Sequence, residues 1–308
     1  MNGKLIKPAA LKAGDTVAVV APAAAIEREH LERGVNVLAS MGFRVKVSER
    51  LLARSGILAG DDADRVRELQ SCFADPEVKG IFAARGGYGC GRLMPLLDFR
   101  AIARTPKIFV GFSDETFILN AMVDLAGVVS FHGPMVAMDF ARGLSARSIE
   151  HMQRLLSGES NGFELEAREA VHPGVARGVV IGGCLSVLVA MLATPYAPNF
   201  DERILFLEDT GEKAYRIDRM LVQLRQSGAL ARVAGLAFGA IRPIDGDEQE
   251  ARLIARFIAE QTADLGCPVL YGIEAGHGTE NFTIPFGIAA QIDAASRRLV
   301  FTERAVTA

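Results

Sequence analysis

The 308-residue sequence has no tryptophan, only four tyrosines and five histidines, and no long uninterrupted apolar run. Without tryptophan, a broad aromatic platform for stacking nucleic-acid bases is not expected. No stretch reaches the roughly 18 consecutive apolar residues of a membrane-spanning helix, so no membrane segment is expected. The N-terminal residues also lack the apolar stretch and small-residue cleavage site of a signal peptide. Together these absences predict a cytoplasmic protein.

Charge and cysteine content exclude further classes of function. The formal net charge of -3 gives no electrostatic reason to expect a nucleic-acid partner or an acidic membrane surface. No two histidines lie at metal-ligand spacing on one element and the cysteines form no CxxC motif, so neither a metal nor a cofactor is expected. The cysteines are widely scattered and are expected to be reduced in the interior: Cys72, Cys90, Cys184 and Cys267.

Strand and helix patterns alternate through the first half of the chain. This alternation predicts a largely parallel, doubly wound sheet with helices on both faces. Ligands of such sheets bind beyond the carboxyl ends of the strands. The predicted strands are Thr16–Ala21, Phe43–Val47, Gly80–Ala84 and Lys107–Phe112, and the predicted helices are Glu27–Met41, Asp64–Phe73 and Asp114–Leu125.

The pattern weakens near residue 160, where the chain becomes polar and rich in glycine. We therefore predict an N-terminal domain over residues 1–160, a linker over 161–176 and a C-terminal domain over 177–308. The last is predicted to be a mixed α/β domain whose tail forms antiparallel strands. Its predicted elements are strands Val179–Ile181, Ile204–Glu208 and Val233–Phe238, helices Ala214–Gln226 and Glu248–Asp264, and tail strands Phe282–Ile284, Ala289–Ile292 and Leu299–Thr302.

A serine stands where an apolar strand runs into a helix, in Gly111-Phe112-Ser113-Asp114. A hydroxyl at such a turn can act as a nucleophile beside the free N–H groups of the helix start. The alternative is that Ser113 or Asp114 caps the helix. The segment departs from the G-x-S-x-G nucleophile motif because Glu115 occupies its fifth position.

A glycine-rich turn follows the predicted third strand, in Arg85-Gly86-Gly87-Tyr88-Gly89-Cys90-Gly91. Glycines allow successive N–H groups to converge on an anion, although the same residues also make tight turns. The turn matches neither G-x-G-x-x-G nor G-x-x-x-x-G-K-[ST], so nucleotide phosphate binding is not indicated.

Two further segments could complete an acyl-transfer site. Carboxylates follow an apolar strand at Glu208-Asp209-Thr210-Gly211-Glu212, where they could orient a histidine or form a solvated loop. His277 lies between two glycines, which suits a general base. Ser113, a carboxylate and His277 therefore form one hypothesis for a catalytic triad. His132 follows a strand near the proposed site and is either a support for that site or a hydrogen-bonded core residue, and the second interpretation is favoured.

The sequence resembles the LD-carboxypeptidases, serine peptidases that act on murein tetrapeptides and include the microcin-immunity proteins. The resemblance covers nearly the whole chain, and several blocks in the right order carry it. The blocks are LKAGDTVAVVAPA, DADRVRELQSCFADPEVKGIFAARGGYGCGRL, KIFVGFSDET, FHGPM, IGGCLSVLVAMLATPY, ILFLEDTGEKAYRIDRML and GHGTENFTIPFG.

The resemblance implies roles for individual residues and an architecture. It makes Ser113 the nucleophile, Glu208 rather than Glu212 the catalytic carboxylate, and His277 the base. It also implies a flavodoxin- or amidotransferase-like N-terminal domain that bears the serine and a C-terminal domain that bears the other two. The active site of such proteins lies in the interdomain cleft, usually of a homodimer.

The expected reaction is release of the terminal D-alanine from a murein tetrapeptide at an L,D amide bond. Backbone N–H groups of Asp114 and Gly87 are expected to form the oxyanion hole, and Arg85, Gly86 and Tyr88 to contact substrate. Two alternatives stay open: a microcin-immunity-type hydrolase of peptidyl- or aminoacyl-nucleotides, and a non-catalytic cleft protein that binds peptides or sugars. One departure is Cys184, which stands where many relatives have asparagine in a Gly-Gly-Asn turn.

Overall fold

The computed structural model describes residues 5–307. The first four residues of the N-terminal segment, which was predicted not to be a signal peptide, and residue 308 lie outside the described residues. The described chain forms two compact units. The first contains the residues up to Ser160, the segment Phe282–Gly287 and the residues from Arg304 onward. The second contains Asn161–Asn281 and Ile288–Glu303. Within residues 5–307, no helix combines the length and apolar character needed to cross a bilayer.

Fourteen strands are found in residues 5–307, distributed over two sheets. They are β1 (Thr16–Val20), β2 (Arg44–Lys46), β3 (Val78–Ala83), β4 (Ile108–Gly111), β5 (Ser130–His132), β6 (Phe163–Glu166), β7 (Glu169–His172), β8 (Val175–Cys184), β9 (Ile204–Glu212), β10 (Gly235–Pro243), β11 (Val269–Gly276), β12 (Ile284–Phe286), β13 (Ala289–Asp293) and β14 (Arg298–Phe301).

The α-helices connect these strands, and short 3₁₀ or π segments extend several of them. The α-helices are α1 (Arg28–Ser40), α2 (Asp62–Ala74), α3 (Cys90–Leu93), α4 (Phe99–Arg104), α5 (Thr116–Ala121), α6 (Ala146–Leu156), α7 (Leu185–Met191), α8 (Ala214–Gln226) and α9 (Glu248–Thr262). The 3₁₀ segments are Glu49–Leu52, Met94–Leu96, Ser113–Glu115, Leu230–Arg232 and Ile244–Gly246, and the π segments are Met122–Ala126 and Val136–Phe140.

The first sheet has the strand order β2-β1-β3-β4-β5-β12, and its first five strands are parallel. Strand β1 is a continuous apolar run with four of its five residues buried, as expected for a strand covered on both faces. The order 2-1-3-4-5 is that of flavodoxin-like sheets. The predicted doubly wound fold is therefore confirmed, and the turns that follow β3 and β4 lie at the carboxyl ends of neighbouring strands.

Strand β12 comes from the far C-terminal part of the chain and completes this first sheet. It pairs antiparallel with β5, with Ile284 opposite His132 and Phe286 opposite Ser130. The predicted tail strand Phe282–Ile284 is thus displaced to Ile284–Phe286. Ile284 and Phe286 are fully buried, so they stabilise the edge of a sheet distant from them in sequence.

The second sheet has the order β6-β14-β13-β8-β9-β10-β11-β7. Strands β8 to β11 are parallel and form its centre, while the flanking strands are antiparallel. The predicted mixed domain with antiparallel strands is confirmed.

Residues 161–176, predicted as a linker, contain β6 and β7 and belong to the second unit. Both strands lie at the outer edges of the sheet and are half-exposed, with Leu165 the one buried residue among the eight. Edge strands with polar side chains lack the apolar run that reveals a central strand. The composition of this segment therefore resembles that of a linker although its backbone is paired.

Candidate active site

Ser113 lies directly beyond β4, in a strained turn. All four residues of β4 are buried, Phe112 continues the extended backbone, and Ser113 has a φ of 64°. A positive φ at a non-glycine residue costs about 1–2 kcal/mol. The turn reverses the chain sharply into the 3₁₀ segment Ser113–Glu115 and α5, which holds the serine at the carboxyl end of the sheet. This is the geometry of a nucleophile on a strand-to-helix turn.

The alternative of a helix cap is not supported by the contacts of this turn. The N-cap residues of the 3₁₀ segment and of α5 are Phe112 and Glu115, and neither makes a side-chain cap hydrogen bond. The carboxylate of Asp114 accepts a hydrogen bond from the backbone N–H of Cys90 at 2.6 Å instead. Asp114 therefore ties the serine turn to the glycine-rich turn.

The glycine-rich turn packs directly against the serine. A Cβ placed on Gly86 would lie 2.8 Å from Cβ of Ser113 and 3.0 Å from its Oγ, so only glycine fits there. Gly87 has a φ of 103°, which also favours glycine. The predicted substrate contacts differ in exposure, since Tyr88 is 53% exposed whereas Arg85 is half-buried and donates a hydrogen bond to the carbonyl of Ala25 at 3.1 Å.

Glu208 and His277 form a hydrogen-bonded pair in the second unit. Glu208 lies on β9 and is fully buried, and His277 follows the last residue of β11. Nδ1 of His277 lies 2.6 Å from Oε2 of Glu208, and the backbone N–H of His277 donates to the same oxygen at 3.1 Å. An Nδ1–H that donates to a carboxylate leaves Nε2 unprotonated, which is the tautomer that a general base requires.

Close packing makes this pair possible. Gly276 has a φ of 90°, and a Cβ on it would lie 2.5 Å from Oε2 of Glu208. The amide oxygen of Asn281 accepts a hydrogen bond from the Gly276 backbone N–H at 2.9 Å, which fixes the turn. Glu212, the other candidate carboxylate, lies 3.3 Å from Arg216 instead. The histidine is therefore paired with Glu208.

Comparison with known proteins gives the same family for both units. Residues 17–133 match the LD-carboxypeptidase N-terminal domain, and residues 177–292 match the LD-carboxypeptidase C-terminal domain. The chain belongs to the LD-carboxypeptidase family. As a member it is a serine-type carboxypeptidase, a hydrolase.

Its relatives match along almost their whole length. It is 35% identical to the probable murein peptide carboxypeptidase of Bacillus subtilis, over 96% of this chain and 93% of the relative. It is 32% identical to the murein tetrapeptide carboxypeptidase of Pseudomonas aeruginosa, over 90% and 92%. The crystal structure of muramoyltetrapeptide carboxypeptidase from Oxalobacter formigenes superposes with a TM-score of 0.84 at 31% identity, over 95% of this chain and all of the other.

Cys184 of this LD-carboxypeptidase ends β8, in register with Glu208 on β9. Its thiol lies 3.3 Å from the hydroxyl of Ser186 and is 5% exposed. Burial, and then the charges of Asp209 and Glu208, raise the pKa of this thiol well above its ordinary value. Since the thiolate is the reactive form, Cys184 is not suited to act as a nucleophile.

Asp209 is a buried carboxylate that the sequence interpretation did not single out. Its side chain accepts hydrogen bonds from the backbone N–H groups of Ser186 at 2.7 Å and Thr210 at 2.8 Å. Burial first, and the charge of Glu208 second, raise the pKa of Asp209 to about 6. A sequence signal for Asp209 exists, because Glu208 and Asp209 both follow the apolar residues of one strand. Successive side chains of a strand point to opposite faces of the sheet, so the two carboxylates are expected to face opposite ways.

The structure places His132 in the core, as predicted. It is fully buried on β5, and its ring centroid lies 5.6 Å from those of Phe112 and Phe286. Among residues 5–307, no group of three or more histidines, cysteines or acidic residues is arranged to hold a metal ion.

Proposed function

We propose that this LD-carboxypeptidase releases the terminal D-alanine from murein tetrapeptides, with Ser113 as nucleophile, His277 as base and Glu208 as its orienting carboxylate. The Glu208–His277 pair, with Nδ1 and Oε2 2.6 Å apart, carries the proposal. Glu208 is fully buried and two donors of one histidine converge on a single oxygen. Such a pair sets one tautomer and stabilises the imidazolium that forms during acyl transfer.

In the proposed reaction, Nε2 of His277 takes the proton of Ser113 as Oγ attacks the carbonyl carbon before the terminal D-residue. The C–N bond breaks, His277 returns the proton to the leaving amine, and D-alanine departs from an acyl-serine intermediate. Water, deprotonated by the same imidazole, then releases the shortened peptide and regenerates Ser113. Ser113 belongs to the first unit, while Glu208 and His277 belong to the second.

The proposed oxyanion hole consists of the backbone N–H groups of Asp114 and Gly87. Two features of the first unit support it: Gly86 packs against the Ser113 side chain, and Asp114 is the second residue of the 3₁₀ segment that begins at Ser113. Free N–H groups at a helical start are suitable donors for a developing oxyanion. Arg85, Gly86 and the exposed Tyr88 are the proposed substrate contacts. We also propose that the protein is a homodimer and that it is cytoplasmic.

The test is mass spectrometry of murein tetrapeptide incubated with purified protein. Wild type is expected to remove one alanine, and Ser113→Ala to lose activity by several orders of magnitude while keeping its fold. Ser40→Ala, on the exposed end of α1, is the matched control and keeps wild-type activity. Undiminished D-alanine release by Ser113→Ala would refute the mechanism.

An aminoacyl-nucleotide substrate in a parallel incubation tests the microcin-immunity alternative. The chain has no tryptophan for stacking an adenine, so turnover of the murein peptide is expected to exceed that of the nucleotide. Faster turnover of the aminoacyl-nucleotide would show that the proposed triad acts on nucleotide-linked substrates instead of murein peptides. Covalent labelling of Ser113 by a fluorophosphonate probe separates both from a non-catalytic binding protein.

A further inference from the structure

Glu115 is a fully buried carboxyl group directly beneath the serine turn. A Cβ placed on Gly86 would lie 3.0 Å from Oγ of Ser113 and 3.2 Å from Oε2 of Glu115, so both side chains pack against the same glycine. On the other side, a Cβ on Gly111 would lie 3.1 Å from Cγ of Glu115. The carboxyl group therefore fills the space between the end of β4 and the glycine-rich turn.

None of the described residues around Glu115 compensates a charge on its carboxyl group. Among residues 5–307, neither carboxyl oxygen has a hydrogen-bond partner beyond an interaction with its own backbone N–H. Ala83 and the glycines that pack around it do not titrate. An ionised carboxylate in such a place costs far more free energy than the neutral acid.

The titratable neighbours add to this effect. Asp114 is the charged group that faces Glu115, and its negative charge disfavours a second one. Burial raises the pKa of Asp114, whereas the Cys90 N–H that it accepts and the buried cation of Arg65 stabilise its charge. The buried thiol of Cys90 carries no compensating charge, and its pKa is raised well above the ordinary value. Burial first, and Asp114 second, raise the pKa of Glu115 well above its ordinary value.

We propose that Glu115 is a positioning residue that works in its protonated form: the uncharged carboxyl group holds the Gly86 turn against Ser113, and loss of its proton disrupts that contact. The proposal rests on the proposed function, because it concerns the nucleophile named there. An ionised Glu115 would repel Asp114 and draw water into the space under Gly86. Either change moves the serine turn and the Gly87 N–H relative to each other.

The first experiment compares pH profiles of kcat and KM for wild type, Glu115→Gln and the control Glu77→Gln. Glutamine keeps the shape and stays neutral, so at pH 7 it should retain kcat within about threefold of wild type. Wild type and Glu77→Gln, at an exposed site, should then lose kcat about tenfold per pH unit above the ionisation of Glu115. Glu115→Gln should not show this loss. Coincident alkaline profiles would overturn the proposal, as would a KM change with constant kcat.

The second experiment detects the proton itself and does not depend on any variant being active. Wild type labelled with ¹³C in its glutamate carboxyl groups should show an infrared band of a protonated carboxyl at pH 7.5. Glutamate labelling leaves Asp114 and Asp209 out of the signal, and the band should be missing from Glu115→Gln. If that variant does not fold, titration of the wild-type band decides alone, and its absence between pH 6 and 8 overturns the proposal.

Failure of the proposed function can be distinguished from failure of the positioning role of Glu115. If murein tetrapeptide is not a substrate, the pH profile is read from the rate at which a fluorophosphonate labels Ser113. Labelling that declines with pH in wild type but not in Glu115→Gln supports the positioning role whatever the substrate. No labelling at any pH overturns the nucleophile and its positioning together, while the infrared band still reports the charge state of Glu115.

Discussion

Glu208 and Glu212 stand four residues apart on β9 but have different partners. Glu208 is fully buried against His277, whereas Glu212 pairs with Arg216 across 3.3 Å at a partly exposed site. A partly exposed ion pair contributes at most about 1 kcal/mol to stability. A carboxylate that fixes the tautomer of a general base controls a far larger free energy in the transition state.

We therefore expect Glu208→Gln to lower kcat by about three to four orders of magnitude, because the amide cannot accept both histidine donors on one charged oxygen. Glu212→Gln should stay within a fewfold of wild type. Steady-state kinetics on murein tetrapeptide measure both. An inactive Glu212→Gln beside an active Glu208→Gln would show that Glu212, and not Glu208, orients the histidine.

Asp209 gives a prediction for stability against pH. Its pKa is 3.8 ordinarily and about 6 in the folded protein, so the folded state binds the proton more tightly than the unfolded state. The resulting stabilisation is fully present below about pH 4 and is lost as pH rises to about 6, by at most about 3 kcal/mol.

Asp209→Asn removes this titration, so its thermal midpoint should rise relative to wild type between pH 4 and pH 6. At every pH it should also lose some stability, because asparagine has one acceptor oxygen for two backbone donors. The exposed Asp201→Asn is the control and should follow wild type. If the thermal midpoints of wild type and Asp209→Asn change with pH in parallel between pH 4 and pH 6, Asp209 is ionised throughout that range and the prediction is wrong.

The candidate residues at strand ends could be identified from sequence because each interrupts an apolar pattern or lies between glycines. Ser113, Glu208 and His277 all do so. The burial of Glu115 could not be predicted in this way, and for Asp209 the sequence indicated only that carboxylates follow an apolar strand. A charged residue after a strand is usually solvated, and only the packing of Gly86 or of α7 against it shows otherwise.

Glycines at strand ends determine how closely the elements of the site approach one another. At Gly276, both the φ of 90° and the absence of a Cβ are required, because the Glu208 carboxylate occupies that space. Gly266, between α9 and β11, has a φ of 67° but nothing within 4 Å of an added Cβ. Substitutions at the two positions therefore distinguish the effect of backbone strain, which both share, from the effect of a clash with Glu208, which occurs only at Gly276.

Both Gly276→Ala and Gly266→Ala should lose about 1–2 kcal/mol of stability from the left-handed backbone. Only Gly276→Ala should also lose activity, by about 100-fold or more, because its methyl group displaces the Glu208 carboxylate from His277. Thermal melting and kcat measured on the pair test this. Equal activity losses would place the effect in the backbone and not in the contact.

Element boundaries followed the apolar pattern where strands and helices are central. The predicted helix Ala214–Gln226 is observed with the same bounds, and the predicted strand Thr16–Ala21 ends one residue earlier. Edge strands β6 and β7 were missed because half-exposed strands need few apolar residues. The predicted helix Asp114–Leu125 is split into 3₁₀, α and π segments, which periodicity alone does not distinguish.

At the scale of the whole molecule, the chain passes back and forth between two units. It leaves the first after Ser160, returns for Phe282–Gly287, and returns again from Arg304 onward. No sequence pattern shows this, since Ile284 and Phe286 look like any apolar pair until β5 is known to lack a neighbour on that side.

A fragment of residues 1–160 should therefore fold poorly. It lacks the fully buried side chains of Ile284 and Phe286, which contribute about 3–6 kcal/mol against a typical domain stability of about 5–15 kcal/mol. Circular dichroism should show a broad, low-temperature transition. Attaching residues 282–287 through a flexible Gly-Ser linker should sharpen that transition, and a cooperative, wild-type-like melt of the bare fragment would contradict the prediction.

The position of β12 also has a consequence for synthesis on the ribosome. The serine turn follows β4, β4 pairs with β5, and β5 pairs with a strand that is translated about 150 residues after the rest of its sheet. At about 5–20 residues per second, the roughly 170 residues between Ser113 and β12 take about 9–35 seconds to translate. The sheet that holds the proposed nucleophile is thus completed only when most of the second unit has been made, so a chain terminated within the second unit ends before its first unit is whole.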